Sequence, residues 1–139
     1  MRKLFVAILY LFSCLAGQDK NKENILFIGN SFTFYWNLPL VVEAMANERN
    51  YNFDITQSTA SGSSLKDHWF ENDELKSKTL IATGRYDRVV LQDHSLNPLQ
   101  NLVESRMYFT DFIELVKTNN GTTYIFATWM YKDCLLYTS

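Results

Sequence analysis

The sequence is poor in the residues that would announce a special class of protein. Its 139 residues include 2 cysteines, 2 histidines, 2 prolines and 5 glycines. So little glycine and proline excludes collagen-like and low-complexity chains. Cys14 and Cys134 offer no disulfide framework, and with His68 and His94 they are too scattered for metal-ligand spacing. No metal or cofactor is expected. An excess of one charge is also missing: 13 Lys and Arg face 15 Asp and Glu, a net charge of -2, so there is no electrostatic footprint for nucleic acid. No apolar run reaches the roughly 20 residues of a bilayer-spanning helix. What remains is 47% hydrophobic with a mean hydropathy of -0.17, the profile of one globular domain.

The two ends stand apart from that domain. Arg2 and Lys3 precede the apolar run Leu4–Phe12, and Ser13, Cys14, Leu15, Ala16 and Gly17 follow. A basic start, a short apolar stretch and small residues describe an export signal over residues 1–17. Two processing routes are open. Cutting after Ala16 releases a soluble protein, whereas Leu11-Phe12-Ser13-Cys14 resembles a bacterial lipobox that would leave a lipidated Cys14 as the one membrane attachment. Either way the protein is expected to be exported, periplasmic or extracellular, with residues 18–24 as a polar tether. At the other end, residues 134–139 (Cys-Leu-Leu-Tyr-Thr-Ser) match the translation of a transposon adapter used in DNA library preparation. That match predicts a non-native tail and a natural chain continuing past Asp133.

Between the ends, residues 25–133 alternate strand and helix signals. Ile25-Leu26-Phe27-Ile28 is a continuous apolar run, the mark of a strand covered on both faces. Pro39 favours a helix start, with Leu40, Val41, Ala44 and Met45 as its apolar face. Phe53 to Ser58 reads as a second strand. Leu65 to Ala82 reads as helix in two pieces broken near Asn72, capped by Ser63 or Ser64 and ended by Gly84. Arg88–Leu91 is a third strand. Pro98 then opens a long helix whose face is Leu102, Met107, Phe109, Phe112, Ile113 and Val116, and Thr122 to Thr128 is a fourth strand. This order predicts an α/β fold with a parallel sheet and helices on both faces. In such sheets ligands bind outside the carboxyl ends of the strands.

Those ends carry Gly29-Asn30-Ser31-Phe32-Thr33, then Ser58 to Ser64 including Gly62, then Gln92-Asp93-His94-Ser95. Acyl transfer needs a nucleophile and donors aimed at the developing oxyanion. Ser31 supplies a hydroxyl, and the N–H groups of Ser31 and Gly62, with a side-chain amide, supply donors.

On these residues the chain resembles the SGNH (GDSL-like) hydrolases. Gly29-Asn30-Ser31 stands for the Gly-Asp-Ser block, Gly62 for the second-block glycine, and Tyr86 to Gln92 for the strand of the third. The resemblance covers about Ile25 to Tyr131 and is closest to a secreted bacterial branch with uncharacterised members. It implies a flavodoxin-like three-layer α/β/α fold, here truncated at its C-terminal side. It also implies a serine esterase acting on a small-molecule or glycan ester, plausibly an acyl group on carbohydrate. Ser31 is then the nucleophile, and the oxyanion donors are Ser31, Gly62 and Gln92. Gln92 replaces the family's third-block asparagine, with His94 as runner-up. Asn30, Thr33 and Trp69 are expected to line a substrate pocket. The family's Asp-x-x-His block, which carries the base, is absent, so the chain as written is expected to be weak or inactive.

Each of these residues also has a plainer reading. Ser31 would serve as a turn cap, Gly62 as a positive-φ hinge, Gln92 as a buried amide tying loops, and His94 as a polar loop residue. His68 and Trp69 would decorate a helix beside the cleft, and Trp36 and Trp129 would pack in the core. Two further functions compete: a surface domain that only binds glycans, and a flavodoxin-like nucleotide binder cradling phosphate on residues 30–33.

Overall fold

The computed structural model describes residues 22–128. The expected signal, most of the tether, Trp129 and the last residues lie outside that range. Four strands form one parallel sheet: β1 (Glu23–Gly29), β2 (Phe53–Thr59), β3 (Arg88–Leu91) and β4 (Thr122–Ile125), in the order β2-β1-β3-β4. Between them lie α1 (Ser31–Phe34), α2 (Leu38–Glu48), α3 (Leu65–Phe70), α4 (Ser77–Thr83), α5 (Asn97–Gln100) and α6 (Leu102–Thr118). The strand starts two residues before the expected apolar run, inside the expected tether. Glu23 pairs with Phe53 in the β2 register and holds Arg88 through its carboxylate, while the Asn24 N–H donates to Asp87 at 2.7 Å.

Strand alternation explains the unbroken hydrophobicity of β1. Leu26 and Ile28 join Val89 and Leu91 of β3 in one cluster with Leu65, Ile81 and the α6 residues Tyr108, Phe112 and Val116. Ile25 and Phe27 point to the opposite face and are buried too, on the side where α2 packs along β2. Fully burying an aliphatic or phenyl side chain is worth about 1.5–3 kcal/mol, so this central strand is the chief anchor of the domain.

Helix phase departs from expectation twice. In α2 the stripe expected in the core faces out, with Leu40 50%, Val41 46% and Met45 49% exposed, while Pro39 and Ala46 are buried. A proline and an alanine at the contact let this helix lie close to the sheet. The helix expected from Pro98 is two helices, because Asn101 adopts a non-helical backbone (φ -131°, ψ 48°) between α5 and α6. Within α6, Ser105, Tyr108, Phe112 and Val116 turn inward, and Leu102 and Met107 are about half exposed. The break near Asn72, the stop at Gly84 and the cap at Ser64 are as expected. Ser64 and Asp67 form a reciprocal capping box on α3.

Candidate active site

The sheet register brings the turns after β1 and β2 side by side, since Gly29 pairs with Thr59. Asn30 leaves β1 and caps α1: its Oδ1 accepts from the Phe32 N–H at 3.1 Å. The cap is therefore Asn30, and Ser31 is left as the first helical residue. Among the described residues neither its hydroxyl nor its N–H has a hydrogen-bond partner, and the residue is only half-buried. Asn30 Nδ2 reaches across and donates to the Ser63 carbonyl at 2.9 Å, tying the Ser31 turn to the turn that carries Gly62.

Gly62 and Gly29 are glycines for different reasons. Gly62 has φ +71° and is exposed, and a Cβ there would meet nothing within 4 Å. Its requirement is conformational, and among the described residues its N–H is without an acceptor. At Gly29 a Cβ would fall 2.3 Å from Thr33 Oγ1 and 2.6 Å from Gln92 Oε1. That glycine makes room for Gln92.

Gln92, expected as a third oxyanion donor, is set beneath the turns. It is 1% exposed. Its Oε1 accepts from the Asn30 N–H at 2.9 Å and the Thr33 hydroxyl at 3.0 Å, and its Nε2 donates to the Asp93 carbonyl. A backbone N–H only donates, so the atom facing Asn30 is the amide oxygen. This is the loop-tying reading of Gln92. The residues expected to line a pocket are displaced with it. Asn30 and Thr33 are buried, 2% and 1% exposed, with side chains turned inward. Trp69 is partly buried and packs edge-on against Phe112 of the core, with ring centroids 5.2 Å apart, and Lys78 Nζ lies 4.9 Å from its ring centroid.

The rim beside Ser31 belongs to other residues. Ser31, Phe32, Tyr35 and Trp36 line a cavity of about 290 Å³. Trp36 is 87% exposed and Tyr35 61% exposed, their rings edge-to-face at 5.7 Å. The core packing expected of Trp36 does not occur. Its backbone is left-handed, φ +57°, as is that of Asn37, and this turns the indole outward. The aromatic run Phe32, Phe34, Tyr35, Trp36 just after Ser31 was the available signal. His94, half-buried, lines a separate cavity of about 280 Å³ with Asp93, Pro98, Leu99, Phe109 and Phe126. Asp93 anchors that side, accepting from the N–H groups of Leu65 and His94 at 2.9 and 2.7 Å and from the Ser105 hydroxyl at 2.7 Å.

His68 does not decorate the cleft; it is fully buried. Its Nε2 lies 3.0 Å from both the Gly29 carbonyl and Ser63 Oγ, and its Nδ1 lies 2.7 Å from Ser77 Oγ. A carbonyl only accepts, so Nε2 carries the proton and Nδ1 accepts from Ser77. Burial, opposed in part by the Gly29 carbonyl, pushes the imidazole pKa from 6.5 down to about 4. The unfolded chain takes up this proton near pH 6.5 and the folded chain refuses it until about pH 4. The stability His68 confers is thus complete above pH 6.5 and is lost as the pH falls to about 4, by about 3 kcal/mol in all. Urea titrations at pH 7 and pH 4 are expected to show that loss in the wild type but not in His68→Gln. Equal acid sensitivity of the two proteins would contradict it.

No protein-family model matches the chain, and no curated relative does. Solved structures do. A candidate SGNH hydrolase from Slackia heliotrinireducens superposes with a TM-score of 0.65 at 22% identity, over 81% of this chain and 59% of that one. TesA gives 0.64 at 10% identity over 81% and 64%. The psychrotrophic esterase EstA from Pseudoalteromonas, in a form inhibited by monoethylphosphonate, gives 0.59 at 12% over 74% and 58%. The fold is that of the SGNH hydrolases. This chain spans about three fifths of the length of those proteins.

Proposed function

We propose that the protein is a serine ester hydrolase of the SGNH type, exported by the leader read in residues 1–17. The observation that carries this is the Ser31 hydroxyl, unpartnered among the described residues at the carboxyl edge of the sheet, beside a turn whose Gly62 N–H has no acceptor among them either. Ser31 Oγ attacks the ester carbonyl carbon and loses its proton to a base. The carbonyl oxygen becomes an oxyanion held by the N–H groups of Ser31 and Gly62. Collapse expels the alcohol, which takes up the proton, and water then releases the acid from Ser31. His68 is spent inside the core and is not that base.

Carbohydrate esters are the substrate class this rim suits. An indole exposed to 87% beside the nucleophile offers the flat apolar face on which a sugar ring stacks, with Tyr35 at its edge. The same pair keeps a second reading open, a domain that binds glycans without cleaving them. A phosphate cradle is disfavoured, since Asn30 and Thr33 turn inward. The test is acetate release from acetylated oligosaccharides by the protein expressed from its complete reading frame. Trp36→Ala is expected to raise KM about fivefold on the sugar ester, with kcat within a factor of about two, the loss of one stacking contact near 1 kcal/mol. Equal KM values would remove the sugar from the proposal, and binding without any acetate release would favour the second reading.

A further inference from the structure

The Ser31 turn is half-buried and Gly62 is exposed, yet an oxyanion site requires their N–H groups at a fixed separation. Displacing a reacting group by about 1 Å costs on the order of a hundredfold in rate. Some element beneath them must hold the spacing. The Asn30–Ser63 bond is one tie, and it lies on the turns themselves. A second is direct, the Ser63 hydroxyl 3.3 Å from the Gly29 carbonyl, and a third lies deeper and converges on one ring.

We propose that His68 is a positioning residue for this site, holding the end of β1 and the Gly62 turn to a single ring nitrogen. The inference rests on the functional reading above. Gly29 lies two positions before Ser31, and Ser63 lies one after Gly62. Nε2 is 3.0 Å from each of the two atoms they present, the Gly29 carbonyl oxygen and the Ser63 hydroxyl. The same hydroxyl donates to the Ala60 carbonyl at 2.9 Å, which closes the Gly62 turn on itself. The ring cannot tilt away, because Nδ1 is fixed at 2.7 Å by Ser77 Oγ, itself 2.9 Å from Ser58 Oγ on β2. His68 and Ser77 have no exposed surface, and Ser63 and Ser58 have 4% and 7%. Water therefore does not compete for these bonds, and a buried donor or acceptor that loses its partner is penalised in full. The line Ser58–Ser77–His68–Gly29 runs from β2 through α4 and α3 to β1. It joins the two strands whose ends carry the proposed nucleophile and donor.

The test compares His68→Leu and His68→Gln with the wild type, all from the complete reading frame. Glutamine is the conservative variant because its amide nitrogen reaches about as far as the imidazole Nε2 and keeps an N–H for Gly29. Two quantities are read: residue-resolved amide exchange, and the second-order rate of labelling by a fluorophosphonate. In His68→Leu, exchange is expected to quicken at least tenfold in residues 29–34 and 60–64 while α6 keeps its protection. Labelling should slow about a hundredfold. His68→Gln should recover labelling to within about fivefold of the wild type. If His68→Leu does not fold, Ser77→Ala frees one ring nitrogen and should give the same local exchange pattern at smaller amplitude. The proposal is overturned if exchange rises evenly across the domain, if the two turns are unaffected, or if glutamine is as slow as leucine. A wild type that never labels, with the local exchange pattern intact, rejects the hydrolase reading and with it the catalytic role of the positioning, leaving only the tie between the two turns.

Discussion

Ser31→Ala in the protein from the complete reading frame is expected to abolish fluorophosphonate capture and to lower ester turnover by at least about 10⁴-fold. A residual rate would come from the oxyanion donors and substrate binding alone. The structure separates this loss from damage to the fold. Ser31 Oγ has no partner among the described residues and the side chain is half-buried, so removing it should change stability by less than about 0.5 kcal/mol. The neighbouring Asn30 is the contrast. Its side chain caps α1 and holds the Ser63 carbonyl, so its removal would disturb both turns at once. A Ser31→Ala protein with a wild-type urea midpoint and no labelling is the expected result; labelling that survives the substitution would place the nucleophile elsewhere.

Asp93→Ala should have the largest effect on stability, about 3–5 kcal/mol in urea unfolding. Its carboxylate, 5% exposed, accepts from the Leu65 and His94 N–H groups, from Asn97 Nδ2 at 3.3 Å and from the Ser105 hydroxyl. Alanine leaves the two buried donors, the Leu65 N–H and the Ser105 hydroxyl, without an acceptor, and each buried unpaired group costs about 1–3 kcal/mol. Leu65 opens α3 and Ser105 faces inward from α6, so both helices lose an anchor to the end of β3. A shift of less than about 1 kcal/mol would mean the network relaxes around the gap.

The sequence made the strands legible because a strand covered on both faces must be apolar throughout. Residues 25–28 and, after Arg88, residues 89–91 have that form, and the breaks at Asn72 and Gly84 bounded the helices between them. Helix phase was harder. In α2 the larger apolar residues occupy the outer face and the smaller Pro39 and Ala46 the inner one, so counting hydrophobicity selects the wrong stripe. In α6 the inward face takes in Ser105 and Tyr108, which a count of apolar residues passes over, while Leu102 and Met107 are about half exposed. The site divides along similar lines. That the turns carrying Ser31 and Gly62 lie side by side was legible, because turns after neighbouring parallel strands share one edge of the sheet. Gln92, Trp36 and His68 could not be placed, because their environments depend on long-range contacts. The oxygen of Gln92 meets a backbone N–H 62 positions away. His68 meets a carbonyl 39 positions away. Trp36 is turned outward by a left-handed backbone that nothing in its residue type requires.

The central claim is that Ser31 Oγ and the N–H groups of Ser31 and Gly62 serve one reacting carbonyl. A crystal structure of the complete protein after reaction with a monoethylphosphonate donor tests it most directly. The claim predicts phosphorus bonded to Ser31 Oγ and one phosphonyl oxygen about 2.7–3.1 Å from both N–H groups. Phosphorus on another residue, or an adduct on Ser31 whose oxygen points away from Gly62, would contradict it.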